Sequence, residues 1–386
     1  MKGYIQKRGK SSYRLSVYVG LDSEGKNEYI KETFHGTEKE AENRLAAMIT
    51  ENNKGEYIPP SKQAFGEYMV QWLEYIKDHV SEGTYENYYG YYKNHIQKDG
   101  ICRLNIAKLT AYELQKFVTN LSKRKKTQKN REGTLSAKTI KEILNVVKTA
   151  LKQACIWQII KENPAQYVTP PKVPKYRAKA FDDEKVVEFL KAAENDRFYF
   201  FFLLAIYLGL RQGEIRGLRW SDIDLNHCKL TISQSIRKGG YKARYKPPKT
   251  EGSEGTLPFE SWMIPLFEKQ KTSANVAKLK YGSGWNDNDL VFPSMTGNPV
   301  DLKILTKHFQ QVMDSAGLEY IRFHDLRHSC ATLLLSANVH PKVVQERLRH
   351  ATMSTTMDLY SHVIPKIQDE ANKAMSQILK INKNHL

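Results

Sequence analysis

The period of the apolar positions changes along the chain, and each change marks a different kind of structure. From Tyr13 to Val19 apolar and polar residues alternate, with Leu15, Val17 and Val19 on one face; a second such run, Glu28 to Phe34, follows the turn-forming Asp22-Ser23-Glu24-Gly25. These runs predict a small three-stranded antiparallel sheet. Thr37 and Glu40 then have the spacing of a helix capping box, and Ala41, Leu45, Met48 and Ile49 recur on one helical face, so a helix should cover the sheet.

After Tyr57-Ile58-Pro59-Pro60 the pattern is helical. Phe65, Met69, Trp72, Ile76 and Val80 share a face, Thr84 can cap a helix carrying Tyr85, Tyr88, Tyr92 and Ile96, and Ser136 can start another through Ile140, Ile143, Leu144, Val147, Leu151 and Ala154. Tyr88, Tyr89, Tyr91 and Tyr92 at helical spacing read as packing in preference to a base-stacking platform. Thr169-Pro170-Pro171-Lys172-Val173-Pro174-Lys175-Tyr176-Arg177 is a proline-stiffened linker. Beyond Phe181 comes a helix, then a buried helix within Phe198 to Leu210. Strands follow at Lys229 to Gln234, Tyr241 to Lys246 and Gly255 to Phe259, and helices near Asp301 to Ser315, His324 to Ala337 and Pro341 to Arg349. The fold class is therefore α+β and multi-domain: a sheet-plus-helix module at 1–58, an all-α domain at 62–168, a linker at 169–179, and a mainly α domain with a small antiparallel sheet at 180–386.

Charge changes this picture from fold to partner. A formal net charge of +18 over 386 residues spreads a positive field that favours a polyanion such as nucleic acid. Lys7, Arg8 and Arg14 lie along the first strands; Lys123, Arg124, Lys125 and Lys126 open a basic loop that runs to Arg131; Lys172, Lys175 and Arg177 stand in the linker. Each group reads either as a solvated charge run or as cations for phosphates. No apolar run reaches the length of a membrane span and the first residues lack a secretory pattern, which points to the cytosol. Cys102, Cys155, Cys228 and Cys330 have no metal-ligand spacing and are expected to be reduced.

The chemistry-bearing residues cluster late. Arg211 follows a buried apolar run, with Glu214 one helical turn on, and the bland reading is an ion pair at a helix end. His324 and Arg327 are three apart and project from one helical face, where they can address a single phosphate. His350 follows a short helix, and Tyr360 lies in Thr355 to His362. A phenol, with an ordinary pKa of about 10, needs cations or a base nearby to act as a nucleophile at neutral pH. Lys249, in Lys246-Pro247-Pro248-Lys249-Thr250-Glu251-Gly252, reads as a lysine in the turn between two strands that could protonate a leaving alkoxide.

In this order, the chain resembles the tyrosine recombinase (lambda-type integrase) family. The resemblance is carried by Gly209-Leu210-Arg211-Gln212-Gly213-Glu214 with Trp220-Ser221-Asp222-Ile223, by Pro248-Lys249-Thr250, by His324-Asp325-Leu326-Arg327-His328, and by Leu348-Arg349-His350 with Tyr360-Ser361-His362. Thr84-Tyr85, His95-Ile96, Leu135-Ser136 and Asn163-Pro164 look like the core-binding domain of that family, and the N-terminal sheet like the arm-binding domain of phage and conjugative-transposon integrases.

The resemblance implies that Tyr360 attacks phosphorus to form a 3′-phosphotyrosyl bond and release a 5′-hydroxyl. It implies that Arg211 and Arg327 bind the non-bridging oxygens, Lys249 is the general acid, His324 assists proton transfer and His350 bonds the phosphate. Glu214, Asp325 and His328 would orient the arginine and its helix. It further implies no metal, ATP or other cofactor, double-stranded DNA attachment sites as substrate, a homotetramer passing through a Holliday junction, and excisionase or DNA-bending accessory partners. A C-terminal helix from about 364, with Ile367, Ala371, Ala374 and Ile378 at helical spacing, would dock on a neighbouring protomer. Two positions depart from the pattern: Leu208 stands where the family often has threonine, and Arg349 where a glycine usually precedes the histidine, so Arg349 either adds a phosphate contact or alters the backbone. The alternatives are a type IB topoisomerase, which uses the same constellation, and a DNA-binding regulator without catalysis.

Overall fold

A computed structural model describes residues 3–21, 25–54, 57–58, 61–125, 133–174, 179–237, 245–246 and 255–350, with 352, 353, 357, 372, 375–377 and 379 beyond them. Lys126, Lys175, Arg177, Lys249, Tyr360 and most of the expected C-terminal helix lie outside the described residues. The chain forms two compact units, Met1–Lys175 and Tyr176–Leu386, so the division falls inside the proline-rich stretch.

The first unit opens with strands β1 (Gly3–Gly9), β2 (Ser12–Leu21) and β3 (Asn27–His35) in an antiparallel sheet of that order. Alternation puts Tyr13, Leu15 and Val17 on the inner face, where Val17 pairs with Ile30 and Tyr13 with Phe34. Helix α1 (Glu38–Asn53) covers that face with Ala41 and Met48. Its capping box is formed, with the Thr37 N–H donating to Glu40 Oε2 at 2.8 Å. An ion pair ties the sheet module to the helices after it: Glu51 at the end of α1 meets Lys161 at 3.0 Å, and both belong to the first unit.

The helical part comprises α2 (Phe65–Lys77), α3 (Glu82–Tyr91), α4 (Ala111–Lys123) and α5 (Ala137–Ile156). Trp72, Tyr68 and Phe65 are fully buried, and the Tyr68 hydroxyl donates to the Ala150 carbonyl at 2.6 Å. Val80 lies beyond the end of α2, and the cap of α3 is Ser81, not Thr84: the Ser81 hydroxyl accepts the Thr84 N–H. The tyrosine-rich stretch packs, as expected. Tyr88 stacks on Trp72 with centroids 5.5 Å apart, and a π-helical turn at Tyr92–Ile96 brings Tyr92 and Ile96 into the core.

The second unit is built on α7 (Tyr199–Tyr207), buried along its whole circumference from Phe200 to Ile206, with α6 (Asp183–Ala193) before it and α8 (Gln212–Gly217) after it. Short strands β4 (Ile223–Asp224), β5 (Lys229–Ile232) and β8 (Gly255–Pro258) form one antiparallel sheet; β6 (Ser235–Ile236) and β7 (Tyr245–Lys246) form a second. The segment holding Lys249, between β7 and β8, lies outside the described residues. The chain leaves the first sheet at Ser233 and Gln234, whose side chains bond Arg219 and the Gly217 carbonyl. Helices α9 (Ile264–Tyr281), α10 (Leu302–Ser315), α11 (Phe323–Ser336) and α12 (Pro341–Leu348) complete the unit, and α11 packs against α7. Among the described residues no helix is long and apolar enough to cross a membrane.

Candidate active site

Three chain segments converge at the C-terminal end of α7: the loop into α8, the first turns of α11, and the residues that end α12. Arg211 occupies the cap position of α8 in extended backbone, and Glu214 in the first turn turns back to it. Glu214 Oε2 accepts the Arg211 N–H at 2.8 Å while Oε1 accepts from Arg211 Nη1 at 2.6 Å. One carboxylate therefore both closes the helix terminus and aims the guanidinium, the combination expected of an acid near a helix N-terminus. The same device starts α11, where Asp325 accepts the Arg322 N–H at 2.9 Å and its guanidinium at 2.8 Å. Arg322 escaped the sequence reading, although Arg322-x-x-Asp325 repeats the spacing of Arg211-x-x-Glu214.

Arg327, 2 % exposed, sits one turn further along α11. Its Nη1 donates to the Gly209 carbonyl and its Nη2 to the Leu348 carbonyl, so one planar fork ties the α7–α8 corner to the end of α12. Burial, with Arg211 nearby, pushes its pKa down to about 9, and the group remains a cation at neutral pH.

Gly209 makes this approach possible. Its φ of +65° is a left-handed backbone, and a Cβ there would lie 2.2 Å from Leu348 Cδ2. Gly209→Ala is expected to destabilise the protein by about 2–5 kcal/mol, combining backbone strain with overpacking. A urea titration measures this, and cleavage should fall with it because the Gly209 carbonyl anchors Arg327.

Arg349 takes the position after α12 with φ 53° and ψ 50°, the left-handed helix end that glycine normally fills. Holding a non-glycine residue there costs about 1–2 kcal/mol. Of the two readings from sequence, a phosphate contact or a changed backbone, neither describes it. The backbone keeps the glycine-type conformation, and the guanidinium, in a residue only 6 % exposed, turns inward to Glu214 Oε2 at 2.7 Å. The Arg349 carbonyl meanwhile accepts from Arg211 Nη2 at 3.2 Å. Burial works to raise the Glu214 pKa, but Arg349 and Arg211 outweigh it and hold the carboxyl below its usual range.

His324 and His328 stack edge to face on α11, 4.9 Å apart, and His350 follows Arg349. Burial and then the cations around it push the His350 pKa down to about 3; close packing, His328 and Arg327 bring His324, which keeps an open edge, down to about 4. At neutral pH both rings are uncharged, able to accept a proton or donate a hydrogen bond. An imidazole whose folded pKa lies below the ordinary 6.5 gives stability that is intact above 6.5 and declines as pH falls toward the folded value. Acidification from pH 7 to 5 should therefore weaken the fold, and His350→Gln should remove up to about 1.4 kcal/mol per pH unit of that slope. Urea titrations of both proteins across that interval measure the difference.

Of the expected residues, Arg211, Glu214, His324, Asp325, Arg327, His328 and His350 gather in this one cluster, with Arg349 inside it. Lys249 and Tyr360 lie outside the described residues. Of the basic residues proposed for DNA, Lys7, Arg8, Arg14, Lys123, Lys125 and Lys172 are exposed. Arg124 is not free for a phosphate: it donates to the His95 carbonyl at 2.8 Å and pairs with Asp99, holding the end of α4 to the turn after α3.

Residues 179–366 match the Phage integrase family model, and residues 64–122 match that of the Phage integrase, N-terminal SAM-like domain. A tyrosine recombinase XerC-like protein of Caldanaerobacter subterraneus subsp. tengcongensis is 31 % identical over 96 % of this chain and 97 % of its own length. The chain belongs to the tyrosine recombinase family. It is a tyrosine-type site-specific recombinase. The ICEBs1 integrase of Bacillus subtilis is 23 % identical over 97 % of this chain and 100 % of its own. The fold is that of solved integrases. The Tn1549 transposon integrase in complex with transposon right end DNA aligns with a TM-score of 0.65 at 16 % identity, over 82 % of this chain and 100 % of that one. A lambda integrase tetramer bound to a Holliday junction aligns with a TM-score of 0.53 at 16 % identity, over 90 % and 95 %.

Proposed function

We propose that this recombinase is the integrase of a mobile element, cleaving and rejoining duplex DNA at attachment sites through a 3′-phosphotyrosyl intermediate. The observation that carries the reading is the cluster of Arg211 and Arg327, each fixed by carboxylate or carbonyl oxygens, beside two neutral imidazoles. In this reading the arginines hold the non-bridging oxygens of the scissile phosphate and stabilise the charge that grows on them during attack. The Tyr360 oxygen bonds to phosphorus and its proton passes to His324; the bond to the 5′-oxygen breaks, and Lys249 supplies that oxygen's proton. His350 donates to the phosphate. The phosphotyrosyl bond conserves the energy of the phosphodiester, so rejoining is the reverse attack by a 5′-hydroxyl and needs neither ATP nor metal.

The outer face of the N-terminal sheet supports a second, arm-type DNA contact. Arg14 shares that face with Lys31 and with Tyr4, Tyr18 and Tyr29; the Tyr29 ring meets those of Tyr18 and Tyr4 edge to face at 5.6 and 6.1 Å, and Lys31 Nζ stands 6.0 Å from its centroid. The module at 1–58 would read arm sites, the helical domain at 62–168 and the linker would clamp the core site, and four protomers, coupled by their C-terminal helices, would exchange strands in pairs. The lambda integrase tetramer on a Holliday junction and the ICEBs1 and Tn1549 relatives support this assembly and a mobile-element role.

Purified protein in chelator should form an SDS-resistant adduct with a nicked suicide duplex that carries the element's attachment site. Rapid relaxation of plasmids that lack such a site would favour the topoisomerase, and binding without any adduct the regulator.

A further inference from the structure

Arg349 is set at the centre of the cluster in a way the proposed chemistry does not use. It holds a left-handed backbone that disfavours any side chain, is buried, and has Nε and Nη1 without a hydrogen-bond partner among the described residues. Its stem packs on the first residue of β8, where a Cβ on Gly255 would lie 3.1 Å from Arg349 Cδ. Two contacts connect it to Arg211. Its guanidinium takes Glu214 Oε2, the oxygen not used by the Arg211 side chain, and its carbonyl accepts Arg211 Nη2.

Glu214 is thereby shared. With glycine at 349 the carboxylate would face Arg211 alone and cancel most of its charge at the site. With arginine there, three guanidinium groups, those of Arg211, Arg327 and Arg349, stand against one carboxylate and leave two net positive charges. Arg327 is balanced by carbonyl oxygens, which carry no formal charge, so the surplus remains available to a bound anion.

We infer that Arg349 is a positioning residue that neutralises Glu214 from behind, so that Arg211 is held in place by a carboxylate yet keeps its charge for the scissile phosphate. Arg349 does not touch the phosphate; it acts through Glu214 and through its own carbonyl. This deepens the recombinase reading of the site and rests on it.

The test uses the full chain with Arg349→Met, Arg349→Lys and Arg349→Gly. On a phosphodiester suicide site, Arg349→Met should form adduct about 30-fold more slowly, less than the roughly 10²–10³ of losing a direct oxyanion donor because Arg349 acts through Glu214, while Arg349→Lys stays within about fivefold of wild type. Replacing the scissile phosphate by an uncharged methylphosphonate removes the anion that the surplus charge serves. On that substrate wild type and Arg349→Met should react within about threefold of each other, since charge stabilisation no longer separates them. Arg349→Gly, which releases the left-handed strain, should behave as Arg349→Met does. Without DNA, titration of inorganic phosphate, followed by the protein's melting temperature, should be about tenfold weaker for Arg349→Met, a difference of about 1.4 kcal/mol. Equal slowing of Arg349→Met on both substrates would reduce Arg349 to packing and overturn the inference, as would wild-type rates on the diester or unchanged phosphate binding. Failure of wild type to form any adduct would instead remove the proposed function; the phosphate titration would still decide what Arg349 does.

Discussion

Tyr360→Phe is expected to abolish covalent adduct formation, by more than about 10⁴-fold, while duplex binding stays within about twofold. The size reflects the loss of the reacting atom itself. A phenyl ring has no oxygen to bond to phosphorus, whereas loss of a stabilising group leaves a slower version of the same reaction. Binding should persist because it rests on a broad positive field, +18 over the chain, and on the arginine cluster, none of which the substitution touches. The measurement pairs an electrophoretic adduct assay on a nicked site with a mobility shift on the intact one. Adduct surviving in Tyr360→Phe would transfer the nucleophile to another hydroxyl, with Ser361 the first to examine.

Sequence carried the fold where local rules and tertiary packing agree. Alternation at Leu15 and Val17, the Thr37 capping box, the Ser136 start of α5 and the apolar run of α7 all appear where their patterns put them. It failed where packing is one-sided. Helix α9 has only Phe267 buried over 18 residues, so no apolar stripe announces it. Ser81 and Thr84 both have cap chemistry, and only the backbone angles distinguish which one stops being helical. The two small sheets of the second unit cannot be told from one, because strands as short as Ser235–Ile236 and Tyr245–Lys246 carry no local signal of which strand each pairs with.

The site was legible as a set of residue types and opaque as a circuit. Arg211, His324, Arg327 and His350 could be named from their joint order and the family resemblance it carries, yet nothing in that order says that Arg327 spends two donors on backbone carbonyls. Arg124 and Arg349 show the same limit from the other side. Arg124 reads as a cation for DNA in a basic loop and Arg349 as a phosphate contact or a change of backbone, and both turn inward to a carboxylate, Asp99 for one and Glu214 for the other. Charge in a sequence gives the sign of the field; which arginines make that field at the surface depends on the acids that meet them in the fold.

Arg327→Lys is expected to lose about 10²–10³-fold in adduct formation, and about 2–4 kcal/mol in stability, although it keeps the charge. The guanidinium bridges the carbonyls of Gly209 and Leu348 from two nitrogens of one rigid plane. An ammonium is a single point with three donors, and on a side chain 2 % exposed it cannot reach both carbonyls and still face the phosphate. One carbonyl would be left buried without a donor, at about 1–3 kcal/mol, and the α7–α8 corner would loosen from the end of α12. Because the Arg349 carbonyl and Arg211 stand on those two segments, the error in position would pass to Arg211 as well. Two measurements separate the contributions: single-turnover adduct formation on a nicked site, and urea unfolding of the free protein. A stability loss of this size with cleavage within about tenfold of wild type would make Arg327 a brace for the corner and leave the phosphate to Arg211. A large catalytic loss with unchanged stability would mean that the two carbonyl contacts are replaced without strain, and that the planar fork serves the phosphate alone.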